Sequence, residues 1–191
     1  MALEDISKYE GTHAFLSPSQ PAWLRYTEDH LLEMYRQETA QERGTRIHAW
    51  AAETINLGFT QKGSQKNALY LYVNDAIGFH MEPEKLLFHS KYCYGTADSI
   101  IFNPKKRLLR IHDLKTGVTK PHADQLRIYA ALWCLQNNEN PETITFICRF
   151  YQRTEVIEFS PSGQEIKDIM NIIIMHEKVL EKEDGGGLLI C

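Results

Sequence analysis

The sequence predicts a mixed domain of α/β class, an α+β mixed sheet packed with helices. Three observations predict it. Helical periodicity occupies the front third and returns after residue 121. Between residues 85 and 114, short segments rich in β-branched, aromatic and leucine residues are separated by turn chemistry. A further strand pair precedes a last helix. A chain of 191 residues is enough for one core of ordinary size, so the expected organisation is a single domain over 1–184. Its N-terminal helices cover about 17–58, its core about 85–182, and a flexible tail follows over 185–191.

Ser17 or Ser19 can cap a first helix containing Pro21, Trp23, Leu24, Leu31, Leu32 and Tyr35. A second helix is expected from near Thr39 to Leu57, where Gly58 stops it. The segment Asn67–Phe79 stays open between helix and strand, because Leu69, Leu71 and Val73 alternate while Tyr70, Val73 and Ile77 suit helical spacing. Lys85–Tyr94, Gly95–Phe102 and Arg107–Leu114 read as three antiparallel strands, broken at Gly95 and at Asn103-Pro104-Lys105. Pro121 opens a helix that Asn137 and Asn138 close. Thr143–Tyr151 and Thr154–Phe159 form a hairpin, and Ser160-Pro161 starts a helix through about Lys182.

Composition narrows the function classes. Hydrophobic residues at 43% and charged residues at 24% exclude disordered and low-complexity classes. No apolar run approaches the roughly 18 residues a membrane-spanning helix needs. Glu4, Asp5, Lys8 and Glu10 stand where a secretion signal needs a basic start and an apolar middle, so a cytoplasmic protein is expected. A net charge of −4 speaks against binding nucleic acid by bulk charge, so any such contact is local. Neither GxxxxGK[ST] nor GxSxG occurs, which removes the phosphate-loop NTPases and the elbow hydrolases.

Period 2 puts Asp113 and Lys115 on one side of the third strand. Asp98, on the strand that the Asn103-Pro104 turn pairs with it, brings a second carboxylate. Two carboxylates repel unless something compensates, and a hard cation such as Mg²⁺ or Mn²⁺ takes oxygen ligands of this kind. The plainer alternatives are an Asp98 turn cap and an Asp113–Lys115 ion pair. Gln125 and Tyr129 share a helix face four residues apart, and both can donate to a phosphate. His48 lies within the second helix. Lys105, Lys106, Arg107, Arg110, Lys120 and Arg127 add a basic strip attractive to phosphates. No motif for reading base edges is present, so contact with DNA falls on backbone and shape.

Taken in order, Gly44-x-x-x-His48, Gly95-x-x-Asp98, Asp113-x-Lys115-Thr116-Gly117 and Gln125-x-x-x-Tyr129 resemble the RecB-like, lambda-exonuclease-like branch of the PD-(D/E)XK nuclease superfamily, over about Ser17 to Tyr129. The resemblance implies a restriction-endonuclease-like αβββαβ core with an N-terminal helical extension. It implies that His48, Asp98, Asp113 and the backbone carbonyl of Leu114 hold one or two Mg²⁺ or Mn²⁺ ions, and that Lys115 orients or deprotonates the attacking water. Gln125 and Tyr129 would contact the DNA backbone, Ser17 and Ser19 would belong to an element near the DNA end, and Glu53 would support a second ion or a water. The function implied is an exonuclease in bacterial or phage recombination and repair, with a structure-specific endonuclease or an inactive DNA-binding module as alternatives. A strand-annealing partner and a ring-forming homo-oligomer are also implied. Relatives with an iron–sulfur cluster group three cysteines near the C-terminus. Cys93, Cys134, Cys148 and Cys191 are scattered, so no cluster is expected.

Overall fold

The computed structural model describes Ser7, residues 14–63 and residues 67–186. The chain divides into two compact units, one ending at Thr45 and one beginning at Arg46. In the first, a short 3-10 helix (Pro21–Arg25) follows a turn in which the Trp23 indole donates to the Ser17 carbonyl over 3.0 Å. Helix α1 (Glu28–Leu57) then starts behind Thr27, whose hydroxyl accepts from the His30 amide. Two helices were expected here, meeting near Thr39. The structure has one continuous α-helix, because neither the β-branched Thr39 nor Gly44 costs enough to interrupt it.

The second unit comprises the end of α1 and everything after it. Helix α2 (Ala68–Gly78) settles the open segment. The Asn67 side chain accepts from the Leu69 amide, and Ala68, Tyr72, Val73 and Ala76 are buried at helical spacing. A sheet follows in the order β1 (Glu82–Ser90), β2 (Cys93–Asn103), β3 (Leu108–Lys115), β4 (Thr145–Gln152), β5 (Glu155–Phe159). All neighbours are antiparallel except β3 and β4, which helix α3 (Asp124–Asn137) connects in parallel. Helix α4 (Gly163–Gly186) runs four residues past the expected end at Lys182, so Gly185 and Gly186 are helical. The remainder of the expected tail, 187–191, lies outside the described residues, as does Cys191. Among the described residues no helix is long and apolar enough to cross a membrane.

The first hairpin turns at Lys91-Tyr92 and not at Gly95. Gly95 lies inside β2 because the Tyr129 ring rests on it: a Cβ there would sit 3.0 Å from Tyr129 Cε1.

Two apolar layers hold the sheet. Leu109, Ile111, Ile100 and Phe146 pack with Leu126, Ala130, Ala131 and Ile166 of α3 and α4. Leu114 and Tyr151 pack with Tyr72, Val73 and Ala76 of α2 and with Ala51 and Ile55 of α1.

Candidate functional site

The site forms where the sheet loses regularity. The β2–β3 ladder ends at Ser99 opposite His112, whereas β3 stays paired with β4 to Lys115 opposite Gln152. Beyond His112, β3 therefore leaves β2. The Leu114 amide donates to Asp98 Oδ2 over 2.8 Å, so a side chain takes up a donor freed by the separation.

Alternation also breaks at Asp98. Ala97 and Ile100 both belong to the core under α3, although residues three apart face opposite sides of a regular strand. On β1, Pro83 faces Ser99 and Lys85 faces Ala97, which leaves Glu84 opposite Asp98 with φ at +50°. A glutamate in the left-handed region costs of order 1–3 kcal/mol and is held there by the strands around it. Such irregularities re-aim a side chain.

The result is three acidic residues in a row across three strands. Counting on past the last paired residues gives Glu84, Asp98 and Asp113. His48 reaches Asp98 from α1, with Nδ1 3.3 Å from Oδ1. One ligand atom each from His48, Glu84 and Asp98 falls within 4.8 Å of the others. Like charges so placed repel. The Glu84 carboxyl is raised by burial and then by the Asp98 charge. His48 is raised by its hydrogen bond to Asp98, whose carboxylate favours the protonated ring, while burial opposes the shift.

Asp113 lies beside this group, bound elsewhere. It is buried, and its Oδ1 accepts from Lys115 Nζ at 3.2 Å and from Gln125 Nε2 at 2.9 Å. Lys115 Nζ also donates to Gln125 Oε1 at 2.6 Å, and Gln125 Nε2 to Tyr129 Oη at 3.4 Å. Asp113 Oδ2 is buried without a hydrogen bond; the ammonium of Lys115, 3.0 Å away, is off the bonding direction. Burial, and after it the Asp98 charge, pushes the Asp113 carboxyl up to about 6. Tyr129 is likewise raised, by burial first. Buried acid, ammonium and amide thus form one network at the carboxyl ends of the parallel strands β3 and β4, the usual place for a site in such sheets.

Of the residues singled out in the sequence, the structure brings His48 to Asp98, and Asp113, Lys115, Gln125 and Tyr129 to one another. Glu84, which the sequence reading does not single out, joins His48 and Asp98 in the cluster of candidate ligand atoms, and Asp113 stands beside it. Glu84 is missed from sequence because starting the first strand at Lys85 and breaking it at Gly95 hides its position opposite Asp98. With the turn placed at Lys91-Tyr92, simple register counting finds it. Glu53 is exposed on α1 and is not a member of the group.

The expected basic strip does not border this site as a whole. Lys105, Lys106 and Arg107 occupy the β2–β3 turn, roughly 17 Å along the ladder from Asp98. Arg107 is engaged there with both carboxylate oxygens of Glu139. Arg110 lies over the Phe79 ring at 4.1 Å. Arg127 pairs with Asp124 and Glu165. Lys120 alone of the more distant cations shares a cavity with Lys115 and Gln125. Ser17 and Ser19 lie in the first unit, their hydroxyls 2.9 Å apart.

The donor set suits a hard divalent cation: two carboxylates and an imidazole within reach of one point, with a buried acidic oxygen beside them that lacks a hydrogen bond. Comparison with protein-family models, with curated proteins and with solved structures returns no match to this chain.

Proposed function

We propose that the chain is a divalent-metal-dependent deoxyribonuclease of the RecB-like PD-(D/E)XK type that hydrolyses phosphodiester bonds from DNA ends. The observation that carries this reading is the row Glu84, Asp98, Asp113 across the opening between β2 and β3, with His48 on one flank and Lys115 on the other. The order α1, α2, β1–β3, α3, β4 contains the αβββαβ succession expected of that superfamily once the two leading helices are counted as one helical layer, and supports the reading to that extent.

His48, Glu84 and Asp98 would hold a Mg²⁺ or Mn²⁺ ion, with Asp113 and the Leu114 carbonyl beside them. Such an ion supplies charge stabilisation at the phosphate and lowers the pKa of the attacking water from about 15.7 toward 7. The residues of the chain do the positioning. The Leu114 amide fixes Asp98 through Oδ2 and leaves Oδ1 for other partners. Lys115 presents a positive charge beside the acidic row, fixed by Gln125 and Asp113, and orients the water. Gln125 and Tyr129 offer an amide and a hydroxyl to the DNA backbone from one face of α3. The strand-annealing partner and the ring assembly belong to the same reading.

The test is digestion of end-labelled linear DNA by wild type and Lys115→Ala, with Mg²⁺ or with chelator. Wild type with Mg²⁺ releases label, and the other three conditions do not. A wild type that leaves linear DNA intact contradicts the proposal, and one that linearises a covalently closed circle is an endonuclease.

A further inference from the structure

Helix α4 carries two apolar faces and buries only one. Ile166, Ile169, Met170 and Ile173 pack into the core beneath the sheet. On the side turned away from them, Ile172, Met175 and Val179 recur at spacings of three and four and are 49%, 55% and 61% exposed. The stripe ends in charge at both sides. Asp168 stands one turn before Ile172 and Lys182 one turn after Val179, so each lies about 10 Å along the helix from Met175. All five side chains share less than a quarter of the helix circumference. Asp168 and Lys182 are exposed, and among the described residues neither is in an ion pair. Asp168 Oδ1 accepts from Gln164 Nε2 of the same helix over 2.8 Å.

The outer part of α4 has little beneath it. Every residue over 178–185 is exposed, and Gly185 and Gly186, poor helix formers, are helical all the same. Most helical stability comes from packing an apolar face, yet Val179 and Leu180 face water here. Beside the stripe, a cavity of about 530 Å³ opens between α3, α4 and the first hairpin, with Tyr92, Ile128, Ile172 and Leu180 on its walls. Ile172 belongs to both, so apolar side chains laid along the stripe have a recess to enter.

The charge pattern selects what covers this face. A second α4 laid antiparallel on the first, with a two-fold axis at Met175, puts Asp168 of each copy beside Lys182 of the other and Ile172 beside Val179. Parallel pairing would set Asp168 against Asp168 and Lys182 against Lys182, which repel. One charge of each sign leaves the stripe neutral, so it offers no net attraction to a phosphate backbone or an anionic lipid surface. We infer that α4 pairs antiparallel with α4 of a second copy of this chain, through Ile172, Met175 and Val179 and with Asp168 facing Lys182 at each end. This contact is independent of the hydrolase reading. It closes on itself at two copies, whereas a ring is built from unlike surfaces. The seam runs about 21 Å along one helix face, at the small end of specific interfaces, and a dissociation constant of roughly micromolar order is expected.

The test is analytical ultracentrifugation of the full chain between about 1 and 100 µM, with circular dichroism to confirm that each variant is folded. Wild type is expected to pass from one copy to two across this range, and Met175→Glu to stay at one. Asp168→Lys and Lys182→Asp should each weaken association by about tenfold, and the two combined should restore it, because the exchanged charges again face their opposites. A wild type that stays at one copy, a dimer that survives Met175→Glu, or single charge reversals without effect overturns the inference. So does a combined variant no better than the single ones. An assembly larger than two copies that Met175→Glu dissolves assigns the stripe to a ring instead. A monomer that floats with anionic phospholipid vesicles, and ceases to with Met175→Glu, assigns it to a lipid surface. Either result also overturns the inference.

Discussion

Replacing Glu84 with glutamine should have opposite effects with and without a divalent cation. Glu84 and Asp98 present ligand atoms within 4.8 Å of one another. Two unit charges at that distance repel by about 0.9 kcal/mol at the dielectric constant of water and about 3.5 kcal/mol at an effective value of 20. Glu84 is exposed as a residue although its carboxyl is partly desolvated, so the lower figure applies, and the lost attraction to His48 takes back part of it, leaving a gain in chelator of at most about 1 kcal/mol. Glutamine keeps the shape and the left-handed backbone, so this difference isolates charge. With Mn²⁺ at a hundred times its dissociation constant, wild type should gain about 2.7 kcal/mol, a rise of roughly 5–10 °C in melting temperature for a chain of this size. Glu84→Gln should lose most of that rise. Thermal unfolding followed by circular dichroism, with chelator and then across a Mn²⁺ titration, measures both halves. A variant less stable than wild type in chelator, or one with an undiminished Mn²⁺ response, refutes the reasoning.

Three further outcomes follow from the same structure. Lys115→Ala should retain the fold and lower DNA hydrolysis by about a thousandfold, roughly 4 kcal/mol of barrier, in single-turnover assays; a loss below tenfold would remove Lys115 from the chemistry. Burial, with help from Arg149 and Arg110, lowers His112 to about 3. The unfolded chain therefore takes up a proton near pH 6.5 that the folded chain refuses. Stability is complete above that pH and falls by about 1.4 kcal/mol per unit as pH drops toward 3. Denaturant titrations of wild type and His112→Gln across that range should show the slope reduced in the variant, and equal slopes would contradict the assignment. Gly163 admits no side chain, since a Cβ would meet the Pro141 carbonyl oxygen at 2.5 Å and Glu142 Cα at 2.6 Å. Gly163→Ala should cost about 1–3 kcal/mol by chemical denaturation, and a neutral result would mean that the start of α4 can shift.

Much of the fold was legible because most elements carry strong local signals. The Asn103-Pro104 turn, the β3 pattern and the Pro121 helix start each announce themselves in a few residues. What was not legible depended on partners distant in sequence. Leu69, Leu71 and Val73 alternate like a strand, and only the layer formed with Ala51, Leu114 and Tyr151 makes 68–78 a helix. Gly95 looks like a break until Tyr129 is seen lying on it. At the site, Asp98, Asp113 and Lys115 could be placed together by period and turn position. Glu84 could not, because its position depends on where the first hairpin turns and its backbone on a left-handed residue that no local signal marks. Arg107 and Arg127 read as surface cations in sequence, yet Glu139 and Glu165 hold them in the fold.

The most direct test is anomalous scattering from Mn²⁺ in crystals of the protein. One peak is expected at coordination distance, about 2.0–2.6 Å, from oxygens of Glu84 and Asp98 and from a ring nitrogen of His48, with Asp113 alongside. A peak on other residues, or full Mn²⁺ exposure with none at the opening between β2 and β3, would contradict it.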